Sequence, residues 1–205
     1  MINKNILTWL LITLLSITLL WMLFFWSPAT ENNNTTITSS LHEKPTGGDF
    51  IVKVKDRNMS LQDLRGKVVL IYFGYTQCPD ICPTSLALMS QAFRKLDENE
   101  LKSVTGLFIS VDPKRDSPSR LEEYTHYFHP NIIGATATKP EIDKITKMYG
   151  AAYRIVESDS AIGYIVDHSS YTYIIDKKGK LRYTLEHASS SDKIIKAVHE
   201  LLSEK

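Results

Sequence analysis

The stretch GKVVLIYFGYTQCPDICPTSLALMSQAF, residues 66–93, predicts a strand, a turn that holds two cysteines, and a helix. The apolar run Val68–Phe73 is short and rich in β-branched and aromatic residues, which favours a buried strand. Apolar residues return after the cysteines at helical spacing, as Leu86, Met89, Phe93 and Leu96. This order places both cysteines in the turn between a central strand and a helix.

Pro83 predicts where that helix begins. Proline suits the first turn of a helix, and the residue before a proline avoids the α region. We therefore expect the helix to begin at Pro83, with Cys82 at its cap and Cys78 in the preceding loop. Unpaired N–H groups at a helix start create a positive field, so a thiol there should ionise more easily than a free cysteine.

Cys78 and Cys82 are the only cysteines of the chain, and they leave three interpretations. A structural disulfide would close a very small loop and stabilise little. A redox dithiol usually has two intervening residues, whereas three intervene here. Two thiolates with one imidazole would suit Cu(I), or copper that cycles between oxidation states. Zinc would need a fourth protein ligand in a structural site. Spacing alone leaves the redox and metal interpretations open.

The remaining pattern predicts an α/β domain of thioredoxin-like order, with a central mixed sheet flanked by helices. Helix caps are expected at Asp116 or Ser117, at Thr138 with Glu141, and at Ser190 or Ser191. A charged surface break is expected over 97–100. Strands are predicted at Phe50–Val54, Leu107–Val111, Asn131–Ala135, Tyr171–Asp176 and Leu181–Leu185, with a paired, partly exposed ribbon of Tyr153–Val156 and Ala161–Val166.

The N-terminal segment predicts a membrane anchor. Ile6–Trp26 is apolar and carries no charge, and a helix of this length spans roughly 30 Å, about one bilayer core. A cleaved signal peptide is the alternative. We expect a transmembrane anchor over 1–26, a flexible linker over 27–45 and a folded domain over 46–205. The weak positive-inside bias places the N-terminus in the cytoplasm and the domain outside.

Charge gives no indication of a nucleic-acid partner. The formal net charge is +1, and the acidic and basic residues are interspersed without a basic stripe. We expect the charges to form an ordinary solvated surface.

Six histidines are candidates for a further ligand. We expect His42 and His199 to be solvated and leave His187 open. His126 and His129 are three residues apart near a helix end, but no other ligand is near them in sequence, which favours surface histidines. The position of His168, just before the first hairpin strand, leaves it a candidate.

Three blocks resemble the signature blocks of the Sco/SenC family, in the same order. They are GKVVLIYFGYTQCPDICPTSL, VDPKRDSP at Val111–Pro118, and VDHSSYTYIID at Val166–Asp176. The resemblance covers residues 46–203. It implies a membrane-anchored thioredoxin-like domain that holds Cu(I) or Cu(II) through Cys78, Cys82 and His168. Gln77 stands where many relatives carry histidine, which is not a ligand position.

The resemblance implies a copper metallochaperone for the copper-bearing subunit of cytochrome c oxidase. The alternative is a thiol–disulfide reductase, with Cys78 attacking and Cys82 resolving; a peroxiredoxin-like peroxidase fits less well. A copper donor or thiol reductant protein would be a further partner. The implied location is the inner membrane, single-pass, with the domain in the periplasm or the intermembrane space. Asp80 and Asp112 are expected to support the site without binding Cu(I).

Overall fold

The structure is a computed structural model of the 205-residue chain, and it describes residues 4–25, 45–158 and 163–204. The chain divides into two units, Met1–His42 and Glu43–Lys205. The predicted linker, 27–45, lies outside the described residues except for Pro45, and so does His42.

The first unit contributes one helix, α1 (Lys4–Phe25), over the predicted anchor. Within the described ranges, no helix combines the length and apolarity that crossing a membrane requires. The anchor over 1–26 therefore stays a prediction from the sequence.

The second unit alternates strands and helices. In chain order they are β1 (Ile51–Lys53), β2 (Asn58–Ser60), a 3-10 turn (Leu61–Leu64), β3 (Val68–Gly74), α2 (Ile81–Phe93), α3 (Glu98–Lys102), β4 (Val104–Ser110), α4 (Pro118–Phe128), β5 (Ile132–Ala135), α5 (Lys139–Met148), β6 (Tyr153–Glu157), β7 (Tyr164–His168), β8 (Thr172–Ile175), β9 (Leu181–Leu185) and α6 (Ser191–Ser203).

Five strands form a mixed sheet in the order β5-β4-β3-β8-β9. β3 pairs parallel with β4, and β4 with β5, whereas β8 pairs antiparallel with both β3 and β9. Every residue of β3 and of β4 is buried, as the continuous apolar runs predict for central strands. The predicted thioredoxin-like mixed sheet is confirmed.

Alternation along β3 sends its two aromatic side chains to opposite faces. The Phe73 ring packs on Tyr149 and Tyr173, with centroids 6.0 and 5.6 Å away. The Tyr72 ring packs on Phe108 and approaches His168, at 6.3 and 6.2 Å. One face of β3 therefore packs in the core near the end of α5, and the other face packs near His168.

The capping predictions are largely confirmed. Ser117 caps α4, Thr138 and Glu141 form a capping box at α5, and Ser190 caps α6. The predicted break over 97–100 is wrong, because Asp97 caps α3 through the backbone N–H groups of Asn99 and Glu100. A carboxylate at that position satisfies donors that would otherwise be unpaired, so a charged segment folds into a short helix.

The ribbon of β6 and β7 is a separate antiparallel pair, with Tyr153 opposite His168. The prediction of a ribbon is confirmed, although residues 161 and 162 of its second predicted strand lie outside the described residues. The second ribbon strand was predicted to end at Val166, whereas β7 extends to His168, its last residue.

Asp176 fixes the tight turn between β8 and β9. Its carboxylate accepts hydrogen bonds from the Lys178 and Lys180 amides, each 2.9 Å long, and faces the Arg182 guanidinium at 3.3 Å. Burial alone would raise the pKa of Asp176, but the Lys180 amide, the Arg182 guanidinium and the Lys178 amide together hold it below its ordinary value.

We predict that Asp176→Asn lowers the free energy of unfolding near neutral pH by about 1–3 kcal/mol, because a buried charged acceptor is lost. A carboxylate whose pKa is lower in the folded than in the unfolded state stabilises the fold fully at pH values above its unfolded-state pKa. This stabilisation is lost as the pH falls through the folded-state pKa. The wild-type advantage should thus shrink from about pH 5 downward. Denaturation followed by circular dichroism measures the free energy of unfolding. Tryptophan fluorescence is unsuitable for this domain, because all three tryptophans precede residue 27.

Asp192→Asn is the control for this prediction. The Asp192 carboxylate pairs with Lys95 at 2.6 Å, but its side chain is 84% exposed, so the change should be close to zero. A wild-type advantage over Asp176→Asn that stays constant between about pH 7 and 3 would contradict the assignment.

Candidate metal centre

The helix α2 begins at Ile81, between the two cysteines and two residues before the predicted start. Asp80 occupies the N-cap position without a side-chain cap bond, and Cys82 lies inside the first turn. Pro83 is tolerated because the first N–H groups of a helix have no intrahelical acceptor. One of these groups, the Cys82 amide, instead donates to the Cys78 Sγ at 3.4 Å. The first cysteine therefore occupies the place of a capping side chain.

The fold brings Cys78, Cys82 and His168 together. Their sulfur and ring-nitrogen atoms all lie within 4.8 Å of one another, and among the described residues they form the one such group of three or more potential metal ligands. The Cys82 Sγ lies 3.3 Å from the His168 Nε2. Both cysteines are free thiols. Three candidate ligands predicted from the sequence thus converge at one end of β3.

The backbone fixes which nitrogen of His168 faces the sulfurs. Its Nδ1 lies 3.0 Å from the carbonyl oxygen of Ser169, which can only accept a hydrogen bond. Nδ1 therefore carries the proton in the neutral ring, and the lone pair of Nε2 points to the Cys82 sulfur. The rings of Tyr72 and Tyr75 meet the imidazole edge-on, at 6.2 and 5.8 Å. A metal ion can use a nitrogen presented in this way.

Gly74 leaves the space that Cys82 occupies. A Cβ at this position would lie 2.6 Å from the Cys82 Sγ and 2.7 Å from the Phe108 ring. The sulfur is fully buried, with 0% exposure against 7% for Cys78. The apolar pattern, which ends at Phe73, does not indicate this role of Gly74, because the role depends on a long-range contact.

The pKa values of the two thiols are shifted in opposite directions. Hydrogen bonding from the Cys82 thiol lowers the pKa of Cys78 to about 4, against the opposing effect of burial, and the Cys82 and Asp80 amides lower it further. Burial, and then the hydrogen bond to the Cys78 sulfur, raise the pKa of Cys82 far above its ordinary value. Cys78 is therefore the thiolate and Cys82 its proton donor. The expectation of a thiol that ionises more easily holds for Cys78 and is wrong for Cys82, because burial outweighs the field of the helix start.

Asp116 supports the loop between β3 and α2. Its buried carboxylate accepts from the Thr76 amide at 2.9 Å, from the Thr76 hydroxyl at 2.5 Å and from the Ser110 hydroxyl at 2.6 Å. Asp116 was predicted as an alternative helix cap, but Ser117 takes that role. The carboxylate instead connects the loop that carries Cys78 to the end of β4.

Two further carboxylates, of Asp112 and Asp167, have partners within the protein. Asp112 accepts from the Tyr164 hydroxyl at 2.8 Å and pairs with Arg115. Asp167 pairs with Arg154 at the surface, 2.8 Å away. Of the two carboxylates expected to support the site, that of Asp112 has partners in the protein, whereas that of Asp80 makes no cap bond to the helix.

The other described histidines lie elsewhere. His126 and His199 are exposed, and His199 faces Glu100 at 3.2 Å. The expectation of a surface residue is wrong for His129, which is buried against Phe93 and accepts from the Asn131 amide at 3.1 Å. Burial and the nearby Arg94 lower the pKa of His129.

His187 contacts the Ser85 hydroxyl at 3.2 Å. It does not belong to the group formed by the two cysteines and His168. Of the described histidines, His168 is the one that joins the cysteines.

Two soft sulfur donors and one imidazole form a site that suits Cu(I). The fold and this cluster define a thioredoxin-like domain with a Cys-Cys-His centre. The SCO1/SenC family model matches residues 38–203. The chain belongs to the SCO1/SenC family.

Similar proteins agree with this assignment. The SCO2-like protein of Rickettsia felis is 41% identical over 136 residues, which cover 65% of this chain and 66% of the relative, slightly under two thirds of its length. The structure of Arabidopsis thaliana ScoI with copper bound has a TM-score of 0.70 at 33% identity and covers 76% of this chain and 97% of that chain.

A second solved structure, BsSco, is described as a member of the Sco family of cytochrome c oxidase assembly proteins in which a disulfide switch was identified. It has a TM-score of 0.63 at 26% identity, and the match covers 80% of this chain and 96% of that chain.

We predict that iodoacetamide alkylates Cys78 in preference to Cys82, at a rate that changes little between about pH 6 and 8. An ordinary cysteine, with a pKa of about 8.5, gains reactivity throughout this range. Cys82→Ala removes the S–H donor, so the pKa of Cys78 should rise and the pH dependence should return. Peptide mass spectrometry of the reduced protein measures both. Faster labelling of Cys82 would contradict the assigned acidities.

Proposed function

We propose that this protein is a copper metallochaperone that holds copper through Cys78, Cys82 and His168. The observation that carries the proposal is the convergence of three ligand atoms within 4.8 Å, although the histidine is 86 residues from Cys82. Thiolate and imidazole ligands suit Cu(I), and the copper-bound relative supports the same cargo.

Charge also favours a monovalent ion. Two thiolates and a neutral imidazole bring a charge of −2, so Cu(I) leaves a complex of −1 and no further carboxylate is required. The buried thiol of Cys82 must release its proton when the ion binds, because the thiolate is the ligand. Transfer to a client would proceed by ligand exchange, with each incoming thiolate replacing one ligand of the site.

The proposed client is the copper-bearing subunit of cytochrome c oxidase. Support comes from BsSco, a member of a family of cytochrome c oxidase assembly proteins. The apolar segment Ile6–Trp26 supports anchoring in the same membrane as the client, with the domain on the periplasmic side or its intermembrane-space equivalent. A copper donor or a thiol reductant protein would complete the cycle.

A thiol–disulfide reductase is the second candidate, and the divergent acidities of the two thiols favour it. The Cys78 thiolate would attack a client disulfide, forming a mixed disulfide and releasing one client thiolate. Cys82, once deprotonated, would attack the Cys78 sulfur and release the second client thiolate. Two electrons pass to the client, and a reductant protein must reduce the resulting Cys78–Cys82 disulfide.

We predict that the reduced protein binds one Cu(I) per chain and that His168→Ala weakens binding at least tenfold, because one of three ligands is lost. Competition with a chromophoric Cu(I) chelator measures the affinity. His126→Ala is the matched control, since His126 is exposed and outside the cluster. Wild-type protein that fails to compete for Cu(I) would refute the chaperone proposal.

The same variant separates the two candidates. Reduction of a model disulfide needs both sulfurs and should survive in His168→Ala, whereas it is lost in Cys78→Ser. If His168→Ala restores oxidase assembly in cells as well as the wild type does, the reductase is the better description.

A further inference from the structure

His168 lies on a ribbon that is separate from the main sheet. β6 and β7 pair with each other, and in the described part of the chain neither pairs with a strand of the five-stranded sheet. The sulfurs, by contrast, follow directly from the central strand β3. The distance between the imidazole and the sulfurs therefore depends on the contacts that hold the ribbon against the rest of the domain.

Arg115 makes several of these contacts. It lies between β4 and α4, and its side chain is only 14% exposed. The Nη1 donates to the Tyr164 carbonyl oxygen of β7 at 2.9 Å and to the Gln77 side-chain oxygen at 3.1 Å. Gln77 precedes Cys78 directly. One guanidinium therefore joins the ribbon to the loop that carries the first sulfur.

The ring of Tyr164 adds a second attachment. The guanidinium carbon of Arg115 lies 3.6 Å from the centre of this ring, close enough for a cation–π contact, and the Tyr164 hydroxyl donates to Asp112 at 2.8 Å. Asp112 also pairs with Arg115. These contacts form a closed set of three side chains, Asp112, Arg115 and Tyr164, which we name the ribbon clamp.

Tyr75 continues the connection toward the imidazole. Its hydroxyl accepts from the Val166 amide of β7 at 3.4 Å, and its ring meets His168 edge-on at 5.8 Å. The Arg115 guanidinium lies 5.5 Å from the centre of the same ring. The clamp therefore holds β7 at Tyr164, four residues before His168, and Tyr75 holds it at Val166, two residues before His168.

We propose that Arg115 is a positioning residue, which through the ribbon clamp holds His168 next to the two sulfurs before copper arrives. The inference rests on the proposed copper-binding function. Arginine suits the role because its planar fork can donate in several directions and stack on an aromatic ring at once, whereas lysine provides a single point charge. A ligand held in place beforehand costs less to order when the ion binds.

The test compares Arg115→Lys with Arg120→Lys in the full-length reduced protein. Lysine at 115 keeps a positive charge beside Asp112, whose side chain is 3% exposed, so the variant avoids an unpaired buried carboxylate. Arg120 donates to the Thr76 hydroxyl of the same loop at 2.8 Å but has no described contact with the ribbon, which makes it the matched control. Tyr164→Leu is a second variant that leaves the Arg115–Asp112 pair intact.

The first measurement needs no copper. Hydrogen exchange of the peptide over 164–170 should be faster in Arg115→Lys and Tyr164→Leu than in the wild type, and unchanged in Arg120→Lys. Exchange equal to that of the wild type in both clamp variants would overturn the inference. Acceleration of the same size in Arg120→Lys would do so too, because the effect would not be specific to the clamp.

The second measurement is Cu(I) affinity, again by chelator competition. Arg115→Lys should weaken binding about tenfold, the lower end for residues that support metal ligands. In a His168→Ala background the same substitution should have no further effect, because the residue that it positions is absent. An equal loss in both backgrounds would overturn the inference. If wild-type protein does not bind Cu(I), the proposed function fails, while hydrogen exchange still decides whether the clamp exists.

Discussion

The contact between the Cys82 sulfur and the His168 imidazole depends on the pairing of β3 with β8. These strands run antiparallel, with Tyr72 opposite Thr172. The end of β3 therefore lies beside the start of β8, and the residues that follow β3 meet those that precede β8. This pairing brings together ligands 86 residues apart. A parallel pairing would have placed the start of β8, and the histidine before it, at the other end of β3.

The same arrangement sets the chemistry of the sulfurs. Burial at the end of the central strand disfavours a thiolate at Cys82, and the proton it keeps stabilises the thiolate at Cys78. Gly74 permits this burial because it carries no side chain at the point of closest approach. The pair can thus present one reactive thiolate and one protonated thiol, a state compatible with both proposed functions.

The sequence predicted most of what depends on local pattern. Continuous apolar runs identified β3 and β4, and short polar signals identified the caps of α4, α5 and α6. The start of α2 was misplaced because Cys78, a residue without a standard capping role, supplies the acceptor. Position in the sequence left His168 one of several candidate histidines, and only the family resemblance distinguished it, since no local pattern shows which strands pair. The roles of Asp116 and Arg115 are equally non-local.

In the proposed chaperone function, the site must be assembled enough to bind a copper ion and loose enough to release it. Here the two requirements fall on different parts of the fold. The sulfurs follow the rigid central strand, where every residue is buried, whereas the imidazole ends a two-stranded ribbon that is fastened by side chains. Side-chain contacts can open locally without disturbing the main sheet, whereas moving β3 would disrupt the core. Under the proposed function, release would therefore begin at the imidazole, and the two sulfurs would pass the ion to an incoming pair of thiolates.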